Sequence, residues 1–374
     1  MRFILYTVLG TLLLSCTAEQ LFNEKPLWIS GKDGYDTYRI PALAVTENGT
    51  ILAFCEGRKS GRGDTGDIDL LLKRSTDTGR SWSAQQIIWN DQNNTCGNPS
   101  PVIDRKTGTV WLLMTWNRGD DHEREIIDLK SNDTRRIFVT HSDDDGISWS
   151  PPEEITAAVK TADWTWYATG PGAGIQLTRG EYTGRLVIPC DHIEAGTKYY
   201  YSHVIFSDDG GKNWLLGGST PYHQVNECQV VELSDGRLLL NMRNYDRSMN
   251  YRQTAVSADG GLTWTDQKFD RSLIEPVCQA ALRRYAWPEM QSKGILLFAN
   301  PADKAQRIKM TIRISYDEGI SWPVVKLLNE HPSAYSDLAV LKNKQIACLY
   351  ETGENSAYET ITFARFDLSW IFSD

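Results

Sequence analysis

Three arginines stand in β-rich stretches far apart in the chain: Arg39 in Tyr38-Arg39-Ile40-Pro41, Arg243 in Asn241-Met242-Arg243-Asn244 and Arg313 in Thr311-Ile312-Arg313-Ile314. A guanidinium stays charged at any relevant pH, and its planar fork grips a carboxylate through paired hydrogen bonds. Any one of them alone reads as a solvated surface residue, whereas arginines converging from separate strands would hold an anionic ligand. Glu56-Gly57-Arg58 leads into Gly61-Arg62-Gly63-Asp64, a glycine-rich loop able to carry a carboxylate over a cavity. Asp67 and Asp69 are rivals for that role, but Asp67-Ile68-Asp69-Leu70 already reads as the start of a strand. Further along lie Glu227 ahead of a β-branched run, Tyr335 in Ala334-Tyr335-Ser336-Asp337-Leu338, and Glu351 in Leu349-Tyr350-Glu351. A phenol ionises near pH ~10, so a tyrosine serves as a nucleophile at neutral pH only with a carboxylate in hydrogen-bond reach.

The elements that must position these side chains are strands. Aromatic residues are plentiful, Gly and Pro recur throughout, and no long amphipathic helical pattern stands out, which favours an all-β fold. The pattern S-x-D-x-G-x-x-W occurs five times, as Ser75 to Trp82, Ser142 to Trp149, Ser207 to Trp214, Ser257 to Trp264 and Ser315 to Trp322. Ser and Asp side chains bond local backbone N–H groups, Gly supplies a turn conformation, and Trp anchors the hairpin tip between neighbouring sheets. Each copy follows a β-rich run such as Ile68 to Lys73, and the spacing suits radially arranged four-stranded blades. Five turns and one blade without the motif make six blades.

These repeats resemble the Asp boxes of the sialidase family, whose members are six-bladed β-propellers, and Tyr38-Arg39-Ile40-Pro41 resembles that family's YRIP signature. The resemblance runs from there to the strand Phe363-Ala364-Arg365-Phe366, leaving no room for a separate lectin module. It implies that the Asp-box aspartates are structural and lie on the rim. It also implies that Arg39, Arg243 and Arg313 clamp the carboxylate of a terminal sialic acid, with Arg58 as a further substrate contact. By the same similarity Tyr335 is the nucleophile, Glu227 the carboxylate that polarises it, Asp64 the general acid/base and Glu351 the acid that orients Arg39. The activity implied is exo-α-sialidase, retaining, with a trans-sialidase or intramolecular trans-sialidase as the alternative and a non-catalytic sugar-binding propeller behind both. A neutral phenol suits an anionic sugar, which would repel a carboxylate nucleophile; sialidases are a known exception to the two-carboxylate rule on this point.

Residues Met1 to Cys16 read as an export signal, with Arg2, an apolar stretch Phe3 to Leu14 and Leu13-Leu14-Ser15-Cys16. That ending is shared by lipoprotein signals, in which Cys16 carries a lipid anchor, and by ordinary cleaved signals. Residues 17–374 read as a single catalytic domain, exported, periplasmic, cell-surface or secreted, and monomeric. The net charge of −9 argues against nucleic acid as a partner, so an anion must be held by a local arginine cluster. Cys55, Cys96, Cys190, Cys228, Cys278 and Cys348 read as buried thiols in strands. No cysteine or histidine spacing fits a metal site, and no cofactor is expected. Sequons at Asn48, Asn93 and Asn132 read as chance. Gly119 to Arg136 reads as a loop, idle or substrate-contacting. Trp164-Thr165-Trp166-Tyr167 offers aromatics either for the core or for stacking on sugar faces.

Overall fold

A computed structural model describes residues 22–290 and 292–373; the expected export signal and Cys16 lie outside them. Strands dominate, and among the described residues helix is confined to Glu123–Ile127, Thr156–Val159 and Leu368–Ile371. The strands form sheets of seven, five, four and eight members. Their registers resolve into six antiparallel groups, five of four strands and one of five. The first holds Thr37–Val45, Ile51–Arg58, Ile68–Ser75 and Gln86–Trp89. The second holds Thr95–Ile103, Val110–Asn117, Arg136–Ser142 and Glu153–Glu154, and meets the first through one parallel pair, Ile68 with Thr95. In the third, Trp164–Thr169 and Ile175–Gln176 pair one after the other with one edge of Leu186–Glu194, followed on its other edge by Tyr200–Ser207 and then Leu215–Ser219. The fourth is Val225–Glu232, Leu238–Asn244, Tyr251–Ser257 and Thr265–Ile274. The fifth joins Ala281–Ala286, Ile295–Pro301 and Ile308–Ser315 to the first half of Val324–Val340. The second half of that long strand opens the sixth group, with Ile346–Thr352, Thr360–Phe366 and Phe22–Ile29.

The inner strands of a group are more enclosed than its outermost strand. Thr37–Val45, Thr95–Ile103 and Val225–Glu232 are buried along almost their whole length, whereas fourth strands such as Gln86–Trp89 and Leu215–Ser219 are half-exposed. Side chains on these inner strands and the adjoining loops tie the centre together. Asp337 Oδ2 accepts from Leu43 N at 2.8 Å and Ala173 N at 3.0 Å. Gln279 Nε2 donates to Ser336 O at 2.9 Å and to Pro171 O at 3.1 Å, and Gln229 Nε2 donates to the same proline carbonyl at 2.9 Å. These bonds lie two or so residues along the strand from Tyr335 and give the site a rigid floor.

The five repeated turns join third to fourth strands, and the repeat serine is the last residue of the third strand each time. Each serine donates to its aspartate Oδ1 at 2.8 Å. The same aspartate then caps the backbone N–H four residues on, as Asp77 does for Ser81 at 2.9 Å. Gly79 has a φ of +84°, and a Cβ there would stand 2.4 Å from the Phe363 ring, so only glycine fits. Each tryptophan packs onto the preceding group: Trp82 meets Phe363 edge-on at 4.9 Å and Trp149 meets Phe54 at 5.8 Å. The sixth group has no such turn for a covalent reason. Its outer strand, Phe22–Ile29, comes from the other end of the described chain, so no hairpin links it to Thr360–Phe366. All six described cysteines are buried and unbridged.

Candidate active site

Antiparallel order places the starts of first and third strands, and the ends of second strands, at one end of every group. There they surround a cavity of about 510 Å³. Arg39, Arg58, Asp64, Glu227, Arg243 and Tyr335 all line it. Tyr335 Oη donates to Glu227 Oε1 at 2.6 Å and accepts from Arg243 Nη1 at 2.8 Å, while the same guanidinium nitrogen meets Glu227 Oε2 at 2.5 Å. Burial and Glu227 push the Tyr335 phenol well above its ordinary range, outweighing Arg243, Arg307 and Arg39, so the resting hydroxyl keeps its proton. The arrangement lets the carboxylate take that proton as the phenol oxygen forms a bond, with Arg243 at hand to stabilise the charge.

Glu351 is fully buried and does two positioning tasks. Its Oε1 accepts from Arg39 Nε at 2.6 Å and Ile40 N at 2.9 Å, and its Oε2 accepts from Tyr335 N at 3.1 Å. One carboxylate thus fixes a guanidinium and the backbone of the tyrosine against each other. Arg39 also lies over the Tyr335 and Tyr358 rings, at 5.1 and 4.4 Å. Arg58 is held by Glu56 at 2.6 Å and by the carbonyls of Arg62 and Gly63, and it pairs with Asp64 Oδ1 at 2.8 Å. The Asp64 side chain is 57 % exposed, at the mouth. Partial enclosure works to raise its pKa, but Arg58, and beyond it Arg39 and Arg135, outweigh that and hold the carboxyl below its usual value. Its sequence rivals lie elsewhere: Asp67 and Asp69 pair with Lys59, and Asp69 also binds the Tyr35 hydroxyl.

Arg313 departs from expectation. It does not line the cavity; it sits two residues before the turn serine Ser315, close to Asp270 in electrostatic terms, with Nε unpartnered. The third strand of its group runs away from the cavity, and at ~3.3 Å per residue the six steps from Arg307 to Arg313 cover roughly 20 Å. The arginine at the cavity end is Arg307, which lies 5.6 Å from the Tyr335 ring and donates to Tyr358 Oη at 2.9 Å and Val277 O at 3.1 Å. Arg39, Arg243 and Arg307 therefore form the cluster around Tyr335.

Other lining residues were not singled out from sequence. Gly119 to Arg136 is not simply a loop: it holds the helix Glu123–Ile127 and sends Glu123 and Arg135 into the cavity wall. Arg135 is buried, bonds Asn98 and Asn117, and lies 4.1 Å over the Trp166 ring; burial lowers its pKa to about 10. Trp166 thus serves the cavity, whereas Tyr167 is core and Trp164 stacks on His192 at 3.4 Å. Asp191, from Leu186–Glu194, completes this side. A second cavity, of about 500 Å³, opens at the opposite end of the inner strands. It is lined by strand ends together with Glu47, Arg105, Glu232, Arg283, Arg284 and Lys342, and its tyrosine, Tyr285, donates to the Lys344 carbonyl and not to a carboxylate.

The all-β chain thus places a cluster of arginines around a carboxylate-bonded tyrosine, and it has relatives that share its sequence and its fold. Residues 49–348 match the family described as a BNR repeat-like domain. A sialidase of Micromonospora viridifaciens is 36 % identical over 94 % of this chain, which spans 55 % of that relative's length. An exo-alpha-sialidase of Aspergillus fumigatus is 31 % identical, with 91 % of this chain and 86 % of the relative covered. Among solved structures, Hadza microbial sialidase Hz136 superposes with a TM-score of 0.81 at 31 % identity, covering 91 % of this chain and 68 % of that one. The chain belongs to the sialidase family.

Proposed function

We propose that the protein is an exo-α-sialidase that removes terminal α-linked sialic acids from glycoconjugates through a covalent tyrosyl intermediate, on a six-bladed β-propeller whose five repeated turns are Asp boxes. The observation that carries this reading is the 2.6 Å bond between Tyr335 and Glu227 inside a ring of three arginines. Arg39, Arg243 and Arg307 hold the substrate carboxylate, which places the adjacent anomeric carbon over Tyr335 Oη. The phenol oxygen attacks that carbon while its proton passes to Glu227, and Asp64 in its acid form protonates the leaving glycosidic oxygen. Because the Arg58 pair favours ionised Asp64, the entering substrate must loosen that pair before proton transfer. In the second half, Asp64 takes a proton from water, the hydroxide attacks the same carbon, and Tyr335 leaves with the proton returned by Glu227. Two displacements at one carbon give retention.

A time course of sialyl-lactose digestion followed by proton NMR tests this. The α anomer of free sialic acid is expected first. Initial release of the β anomer would exclude the double displacement, and an anhydro or transferred product would reassign the protein to the trans-sialidases. Tyr335→Phe is expected to keep the fold and lower kcat by roughly a thousandfold or more; a folded variant with wild-type turnover would remove Tyr335 from the role.

A further inference from the structure

Asp64 stands on a loop that few contacts hold in place. The loop turns on Gly61 and Gly66, whose φ values of +116° and +121° favour glycine, and a Cβ on Gly63 would meet nothing within 4 Å. The bonds at its centre come from Arg58, whose Nη1 donates to Arg62 O at 2.6 Å and Gly63 O at 2.9 Å and pairs with Asp64 Oδ1 at 2.8 Å. That pair is the one the substrate must loosen, so it cannot also fix the carboxyl during proton transfer. Two ties reach the loop from the second strand group instead. Thr95 Oγ1 donates to Gly66 O at 3.0 Å and accepts from Gly66 N at 3.2 Å. His122 Nδ1 shares a hydrogen bond of 2.9 Å with Oγ1 of Thr65, the residue next to Asp64.

His122 is a firm post for such a tie. The residue before it, Asp121, is 1 % exposed; its Oδ1 accepts from Asn132 N at 2.8 Å, its Oδ2 from Asp133 N at 2.9 Å and its carbonyl from Asn117 Nδ2 at 3.1 Å. Four residues on, Ile126 is buried in one cluster with Trp166 and Ile193. At the start of the same segment, Gly119 packs so closely on the acid loop that a Cβ there would stand 3.2 Å from Gly66 C. The Thr65 hydroxyl can donate to a neutral ring nitrogen or accept from a protonated one, so the link survives either state of the ring.

We infer that His122 is a positioning residue for proton transfer: through Thr65 it keeps the Asp64 carboxyl within reach of the departing glycosidic oxygen once the Arg58 pair has opened. The inference rests on the sialidase reading above, with Asp64 as its acid. His122 does not itself line the cavity, so it acts through the loop alone. The segment Gly119 to Arg136 thereby serves the chemistry from outside as well as from the cavity wall.

The test uses the leaving group, because the demand for a proton depends on it. A nitrophenolate departs readily without one, whereas the alkoxide of a benzyl sialoside, similar in size, does not. The comparison is of kcat/KM, which reports the first displacement, on 4-nitrophenyl and benzyl sialosides. His122→Ala and Thr65→Val are each expected to lower it roughly tenfold on the benzyl compound and by less than about twofold on the nitrophenyl compound. The double variant should lose no more than either single one, and Thr65→Ser, which keeps the hydroxyl, should restore the wild-type ratio. His122 is exposed and Thr65 half-buried, so melting temperatures are expected to stay at the wild-type value. Equal losses on both compounds would assign the link a merely structural role, and equal losses or none on either overturn the inference. Asp64→Asn separates this result from the wider reading, since it is expected to show the same selective loss at larger size. If it does and the His122 and Thr65 variants do not, the positioning role alone fails. If Asp64→Asn slows both compounds alike, Asp64 is not the acid, and the proposed mechanism falls together with the inference.

Discussion

At the scale of single residues, burial and partner choice decide which of many similar side chains carries chemistry. The chain has 39 Lys and Arg residues, and arginine by itself says little. What sets Arg39 apart is Glu351, a fully buried acid that fixes the guanidinium and the Tyr335 backbone together. Removing one partner of such a buried pair strands the other, so Glu351→Ala acts on both site and fold. Arg307 and Arg313 supply the sharper comparison, since they lie on the same third strand and its approach. Arg307→Ala is expected to lower kcat/KM on a sialoside by about a hundredfold or more, the cost of losing a charge-assisted contact to a desolvated carboxylate. Arg313→Ala is expected to stay within about threefold of wild type. Parallel assays of the purified variants check this, and the reverse order of effects would restore Arg313 to the clamp.

At the scale of elements, each group of strands has a working end and a structural end. The first and third strands start, and the second ends, beside the cavity; the turns Ser75 to Trp82 and its four counterparts sit at the far ends of third strands. This polarity explains why Arg135 and Arg307, just ahead of third strands, reach the cavity. The turns themselves are stabilising. Asp77 accepts from Ser75, Ser81 N and Ser81 Oγ, and Trp82 of the same turn packs on Phe363 of the sixth group. Asp77→Ala is expected to destabilise the fold by roughly 1–2 kcal/mol through lost turn bonds, seen as a lower urea midpoint, without changing KM. A changed KM with an unchanged midpoint would mean that the turn contributes to substrate binding.

For the whole molecule, closure is achieved by pairing distant chain segments and by hydrogen bonds across the centre. Phe22–Ile29 completes the sixth group, and Asp337 bonds two other inner segments, so cavity and fold depend on each other. Acid should loosen this assembly in two stages. His192, stacked on Trp164, is held by burial at a pKa of about 3, and buried His203 is lowered as well. The unfolded state therefore takes up these protons first, and the stabilisation, complete above pH ~6.5, is lost as pH falls from there. Asp144, held at about 2 by Ser148, adds stability that is complete above pH ~4 and is lost as pH falls toward 2. Melting temperature is thus expected to decline below pH ~6.5 and more steeply below ~4. A melting temperature that stays flat between pH 6.5 and 4 would show that the histidines do not contribute.

The repeated turns and the all-β composition were readable in the chain because they are local: Ser, Asp, Gly and Trp at fixed offsets specify a hairpin tip whatever surrounds it. Arg39, Asp64, Glu227, Arg243 and Tyr335 could be singled out because each sits in a short segment similar to one in the sialidase family, and all five line one cavity. The third arginine could not be placed by segment alone, although strand polarity held the clue: a residue two positions before a repeat turn lies at the end of its strand remote from the cavity. Asp191, Glu123 and Arg135 carry no local signature at all. Their significance comes from low exposure and from the partners that surround them, and those properties exist only when distant strands have packed around a common cavity.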